Sequence, residues 1–135
     1  MKKRPCIVLD TNMLMTIARG INVFEQIEDI IDTKPDYIVL TPIIKELEKL
    51  AKTNKPSISK PARLAIEIAR MYCKVINIEI KNMSTDDLIL YYAKENKCGV
   101  ATNDRELRKK LRKEGIPEIY LREEKMMVDI EGIEY

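Results

Sequence analysis

The sequence predicts an α/β fold around a central parallel sheet of four to five strands. Three observations carry that expectation. Short runs rich in β-branched and apolar residues recur along the chain, among them Cys6-Ile7-Val8-Leu9 and Tyr37-Ile38-Val39-Leu40. Between them lie segments whose apolar residues repeat at helical spacing. The alternation leaves connections of the length that parallel crossovers need. With 135 residues the chain suits a single domain, 1–135, and can bury a substantial core.

Residues 5–9 read as the first strand, which stops abruptly at Asp10. A short helix then runs from Thr11 to Arg19, with Gly20 placed to end it. Asn22 is the expected cap of a second helix, Val23 to Asp32, with Glu25 at its third position in a capping-box pattern. Lys34-Pro35-Asp36 is a turn, and residues 37–40 are the second strand. Thr41 is the expected cap of the next helix, with Pro42 at its first position and an end near Thr53. Its apolar face is Ile43, Ile44, Leu47, Leu50 and Ala51, flanked by Glu46 on one edge and Glu48 on the other. Periodicity does not choose between those two acids.

Residues 54–61, with two prolines and two lysines, read as a loop. A helix from about Ala62 to Cys73 and a third strand from Lys74 to Ile80 follow. Ser84 opens a helix that runs to about Asn96, and Ser84 with Asp87 forms a capping box. Val100-Ala101-Thr102 is a fourth short strand. Asn103 with Glu106 reads as the capping box of a helix that ends near Glu114, before Gly115. Glu118 to Arg122 is the fifth strand, and the tail from Met126 to Tyr135 adds an edge strand.

Hydrophobic residues make up 45% and charged residues 34% of the chain, a balance that specifies a folded protein rather than a disordered one. No apolar run is long enough to span a bilayer. The basic start, residues 1–5, is followed too soon by Asp10 to be a signal peptide, so a cytoplasmic protein is expected. Lys, Glu and Ile are abundant and glutamine nearly absent, a lean toward a thermophilic source. The three cysteines, Cys6, Cys73 and Cys98, are odd in number and form no close pair in sequence. They read as buried free thiols rather than as a disulfide framework or a zinc ribbon.

Histidine is absent, which excludes a Ser-His-Asp triad, a histidine-bearing zinc site and an imidazole acid–base pair. A metal here must be held mainly by oxygen, which favours magnesium, manganese or calcium. The acids that could do so are Asp10, Glu46, Asp86 and Asp104. Asp10, Asp86 and Asp104 fall at helix starts, which share one edge of a parallel sheet. Each has a plain structural reading as well. Asp10 suits a helix cap, Glu46 a solvated flank, and Asp86 and Asp87 the positive end of a helix dipole. The capping boxes account for Asp87 and leave Asp104 unexplained. Two unit charges ~5 Å apart at an effective dielectric of ~20 repel by about 3 kcal/mol, so gathering such acids needs a cation to offset it. A carboxylate cage with open coordination positions can bind a phosphodiester and activate water.

In four pieces the chain resembles the PIN-domain ribonucleases. The pieces are residues 8–12 (Val-Leu-Asp-Thr-Asn), 41–47 (Thr-Pro-Ile-Ile-Lys-Glu-Leu), 85–89 with Ala93, and 100–104 (Val-Ala-Thr-Asn-Asp). The resemblance spans nearly the whole chain, in order and spacing. It implies a PIN-like three-layer α/β/α sandwich. It selects Glu46 over Glu48, and Asp86 with Asp87 as an auxiliary. It implies an Mg²⁺- or Mn²⁺-dependent endonuclease of single-stranded RNA in which Asp10, Asp86 and Asp104 ligate the metal and Glu46 helps hold it or orients water. Asn12 and Thr102 would be supporting polar groups. Within the family, residues 57–60, 62–65 and 101–108 look most like the branch that processes pre-ribosomal RNA. VapC-type toxins, which pair with an antitoxin, are the alternative; the resemblance thus implies an antitoxin or a ribosome-assembly partner, and a homodimer.

Net charge is only +2, yet 24 basic and 22 acidic residues are unevenly placed. Arg105, Arg108 and Lys109 follow Asp104. Lys45 and Lys49 share the Glu46 helix, and Lys60 and Arg63 flank the prolines. These are either solvated surface or contacts for RNA phosphates. Aromatic residues are only 5%, so base stacking is not expected to dominate. A non-catalytic RNA-binding module would not need all four acids. A haloacid-dehalogenase-like phosphatase needs an acid where Asn12 stands, and no glycine-rich phosphate loop follows any strand.

Overall fold

A computed structural model describes residues 4–132. The basic residues at the extreme start, and the last three positions of the expected edge strand, lie outside the described residues. Six strands and six helices occur in the order β1 (Cys6–Leu9), α1 (Thr11–Ala18), α2 (Val23–Ile31), β2 (Asp36–Leu40), α3 (Thr41–Ala51), α4 (Pro56–Tyr72), β3 (Lys74–Ile76), α5 (Thr85–Asn96), β4 (Gly99–Ala101), α6 (Arg105–Lys113), β5 (Glu118–Arg122) and β6 (Met127–Glu131).

The sheet order is β3-β2-β1-β4-β5-β6. β1 pairs in parallel with both β2 and β4, β3 and β5 extend the parallel run outward, and β6 closes one side antiparallel to β5. The sheet is therefore mixed, with five parallel strands and one antiparallel edge. Val8, Leu9, Val39, Leu40 and Val100 are completely buried, as strands covered on both faces must be. Full burial of each such side chain is worth roughly 1.5–3 kcal/mol. Helices α1, α3 and α4 pack on one another, and α5 packs on α6 and against β1 and β4. Among the described residues no helix is long and apolar enough to cross a membrane.

Chain order reverses direction at β1. The chain moves outward through β2 and β3, then returns to place β4 on the other side of β1. The carboxyl ends of β1 and β4 therefore border the crevice where open α/β sheets bind their ligands.

Several elements differ from the expectation. The helix expected to begin near Ala62 starts at Pro56, with Pro61 inside it. Pro56 sits in the first turn, where a missing N–H costs nothing. Pro61 forgoes only one helical bond, and Ser57, whose carbonyl loses that partner, is exposed to water. The third strand ends at Ile76 rather than Ile80 because its partner β2 ends at Leu40. Beyond that point the Thr41 hydroxyl replaces the ladder, accepting from the Ile78 N–H and donating to the Ile78 carbonyl, both at 3.2 Å. Thr41 is therefore not the cap of α3 but its first residue, and Leu40 occupies the cap position. Asn22 stands at the cap of α2 without a side-chain capping bond. Its amide instead donates to Glu25 at 2.6 Å.

The cysteines are a clear correction. Cys6 and Cys98, 92 residues apart, form a disulfide, and only Cys73 is a free thiol. The register explains it. Ile7 faces Gly99, so the residues one step earlier on the two chains meet, with Cα atoms 4.7 Å apart.

Candidate active site

Asp10 immediately follows β1 and is 7% exposed. Its Oδ1 accepts the Met13 N–H at 2.8 Å, capping α1. Its Oδ2 accepts a short hydrogen bond from the Thr102 hydroxyl. Thr102 is completely buried at the end of β4, and its hydroxyl also accepts the Asp104 N–H at 3.0 Å. One hydroxyl thus ties the ends of the two central strands together.

Asp104 is the cap of α6, its Oδ1 accepting the Leu107 N–H at 2.9 Å. This corrects the expected Asn103–Glu106 capping box. Asn103 is engaged elsewhere, with its amide donating to the Leu121 carbonyl at 3.0 Å and its oxygen accepting the Leu121 N–H at 2.8 Å. Asn103 thereby stitches the exit of β4 to β5, and capping passes to the next residue. Oδ2 of Asp104 receives no hydrogen bond from the described residues.

Glu46 lies partly buried on α3, whereas Glu48 is exposed, so packing distinguishes the two acids that periodicity could not. Thr11, the residue after Asp10, donates a short hydrogen bond to Glu46 Oε2. Sequence reading missed Thr11. Its signal was its position, adjacent to Asp10 and at the first turn of α1. Asp86 is partly buried in the first turn of α5. Asp87 beside it is exposed and pairs with Lys110 at 3.0 Å, while its N–H is capped by Ser84 at 3.1 Å.

The electrostatics follow from this geometry. Burial, with added repulsion from Asp86 and Asp104, pushes the Asp10 carboxyl up to about 6 despite the two hydrogen bonds that favour its anion. Burial also raises Asp86, helped by Asp104, Glu46 and Asp87 and opposed by Lys110. Asp87 moves the other way, held down by its bond to Lys110. Asp10 and Asp86 each feel Asp104, and Asp86 also feels Glu46, so acids from four separate stretches act on these two groups. Among the described residues no three acidic side chains converge tightly enough to enclose an ion unaided. The donor set is all oxygen, and the buried Asp10 faces acids with no cationic side chain bonded to it. Such a set fits a hard divalent cation, whose charge would reverse the sign of every repulsion named here.

The other polar residues sort unevenly. Asn12 is exposed and lines a cleft of about 320 Å³ that reaches Asp104. Arg105 is exposed beside it. Arg108 is turned inward, bonding buried Glu118 at 2.8 Å and covering the Tyr120 ring at 3.7 Å. Lys109 is exposed and lies 3.9 Å from Glu106, and Lys45 is 3.4 Å from Glu79. Lys49 stands exposed one turn beyond Glu46. Lys60 and Arg63 are exposed on α4, where Arg63 leans on Ser59 of its own helix. Glu118, 1% exposed and bonded to both Arg108 and Arg112, had no signal in sequence beyond two arginines four residues apart.

Residues 7–124 match the family model described as a PIN like domain. Ribonuclease VapC4 of Methanocaldococcus jannaschii is 37% identical over 124 residues, covering 88% of this chain and 92% of that protein. Ribonuclease VapC9 of Archaeoglobus fulgidus is 29% identical over 121 residues, covering 89% and 85%. The solved structure of the PIN domain endonuclease Utp24 superposes with a TM-score of 0.76 at 26% identity, covering 95% of this chain and 92% of that one.

Proposed function

The chain belongs to the PIN-like domain family, and on that premise we propose that it is an Mg²⁺- or Mn²⁺-dependent endoribonuclease hydrolysing phosphodiester bonds of single-stranded RNA. The observation that carries the reading is the hydroxyl-linked rim. Thr102 joins Asp10 to Asp104, and Thr11 joins the next backbone position to Glu46. In this reading Asp10, Asp86 and Asp104 hold the cation, with Glu46 beside them and Asp87 as an auxiliary charge. A divalent ion bound there supplies Lewis-acid polarisation of a phosphoryl oxygen and a more acidic water.

The chain's own groups do the rest. Thr102 fixes the Asp10 carboxylate, so one oxygen stays on Met13 and the other on the hydroxyl. Thr11 holds Glu46 through Oε2 and leaves Oε1 to orient the attacking water and take its proton. Water adds to phosphorus, the P–O bond to the leaving oxygen breaks, and Lys109, Lys45 and Lys49 attract the flanking phosphates. Asn12 lines the cleft that leads to Asp104.

Two cellular roles divide this reading. Processing of pre-ribosomal RNA is supported by the likeness to Utp24 and by residues 101–108. A toxin ribonuclease paired with an antitoxin is supported by the VapC names of both curated relatives. Induced expression arrests growth in the toxin case, whereas depletion causes unprocessed ribosomal RNA to accumulate in the other. For the activity itself, purified protein is incubated with single-stranded RNA and Mn²⁺. Wild type cleaves and Asp10→Asn does not. Equal cleavage by both assigns the activity to something other than this rim.

A further inference from the structure

Beyond the acidic rim, a groove of about 390 Å³ opens between the start of α6 and the end of β5. It shares Asn103, Leu121 and Glu123 with the cleft that reaches Asp104, so the two adjoin. Its volume is within the range of small-ligand sites. The charges that line it are mixed. Arg108 is bonded to buried Glu118, and Arg122 is bonded to Asp129 at 2.8 Å. Arg105 has no ion pair among the described residues, and neither do Glu123 and Glu124, which line the same groove.

That balance is wrong for a phosphate. Two of the three arginines are already neutralised, and two free carboxylates repel an anion. It is right for a base that carries donors on one edge and acceptors on another. Guanine presents O6 and N7 as acceptors, the pair that arginine reads, and N1–H and N2–H₂ as donors suited to a carboxylate. The Arg108 guanidinium, lying 3.7 Å above the Tyr120 ring centroid, supplies a flat, braced surface of the kind on which unpaired bases stack. Adenine has a donor where guanine has O6, and uracil offers a single N–H.

We infer that this groove is a base-specific subsite for one unpaired guanine near the cleaved bond, with Arg105 reading O6 and N7, and Glu123 or Glu124 accepting from N1 and N2. The inference rests on the endoribonuclease reading for its substrate class, and it adds a sequence preference to that reading.

The test uses the full chain carrying Asp10→Asn, so that RNA stays intact, and fluorescein-labelled hexamers titrated by anisotropy. The probes are all-uridine RNA and the same RNA with one guanine or one adenine scanned through each position. A guanine at a single position tightens binding about tenfold over all-uridine RNA, whereas adenine there changes it less than threefold. Adding Glu123→Gln and Glu124→Gln reduces the guanine preference to twofold or less. Far-UV circular dichroism and melting confirm that these exposed turn substitutions leave the fold intact. Equal binding of all three RNAs overturns the subsite, as does a guanine preference that survives the double Gln substitution. If the two glutamates merely repel RNA, their removal tightens every RNA alike and the ratio stays put, which also overturns it. Wild-type cleavage with Mn²⁺ is read separately. Cleavage without base preference removes the subsite and leaves the nuclease, and a binding preference without cleavage does the reverse.

Discussion

Two carboxylates are buried beside the central sheet, and they live in opposite circumstances. Glu118, at the first position of β5, is 1% exposed and gripped by two arginines of α6 at 2.8–3.2 Å. Asp10, just after β1, is 7% exposed and has hydrogen bonds but no bonded cation, and its charged neighbours are acids. The chain has folded around both. The difference teaches which of them is complete. Glu118 has its counter-charge built in and serves the architecture by locking α6 to the sheet. Asp10 carries an electrostatic cost that the polypeptide does not offset, and that cost is what the proposed cation would relieve.

The largest expected effect is on the incomplete side. Asp10→Asn lowers metal-dependent RNA cleavage by three orders of magnitude or more in a gel assay, yet the metal-free variant melts higher than wild type. The sign follows from the shift. The Asp10 carboxyl rises from 3.8 to about 6 on folding, so between those pH values the folded chain binds more protons than the unfolded one. Its stabilising share is complete below about pH 4 and is lost as pH rises to about 6, a loss of about 3 kcal/mol. Asparagine removes that loss and still caps the helix. At pH 7 the expected gain is roughly 10 °C in melting temperature. A variant that melts lower would erase the contrast between the two carboxylates.

The complete side behaves oppositely. Glu118→Ala leaves Arg108 and Arg112 without their partner and destabilises by about 3–5 kcal/mol, read from urea midpoints. Cleavage of RNA without guanine changes little per folded molecule. A destabilisation under 1 kcal/mol would make the Glu118 cluster ornamental and weaken the comparison from its other end.

The disulfide sharpens it. Cys6 and Cys98 join β1 and β4 at the end remote from the acids. Their substitution by serine, or reduction, costs about 2–5 kcal/mol by thermal melting, because the bond closes a long loop in the unfolded chain. Activity of the folded fraction survives, which separates the end of the strands that holds them together from the end that works.

Smaller effects test the positioning hydroxyl. Thr102→Val weakens metal affinity by 10–100-fold, while Thr102→Ser retains most of it, read by Mn²⁺ titration. Asp87→Asn breaks only the exposed pair with Lys110 and shifts stability by less than about 1 kcal/mol.

What was legible from the chain was whatever depended on local pattern. The run Cys6 to Leu9 ends on Asp10, and the fifth strand matches residue for residue, because apolar period and punctuation decide such elements locally. Ser84 caps the Asp87 N–H as the local pattern expects, while the pair of Asp87 with Lys110 is a tertiary contact. What was not legible depended on register. Cys6 meets Cys98 only because β4 lies beside β1. Asn103 gives up its cap because β5 passes close enough to take both ends of its amide. Glu118 finds two arginines because α6 folds back over β5. The prolines misled for another reason: Pro56 at a helix start and Pro61 inside the helix look like a loop until the length of α4 outweighs one missing bond.

Melting with Mn²⁺ tests most directly the proposal that the acids at the ends of β1 and β4 form a cation site. At pH 7, millimolar Mn²⁺ raises the melting temperature of wild type by several degrees, raises it less at pH 5 where Asp10 holds its proton, and leaves Asp10→Asn unmoved. An equal shift in wild type and variant, or no shift in either at pH 7, would contradict the account.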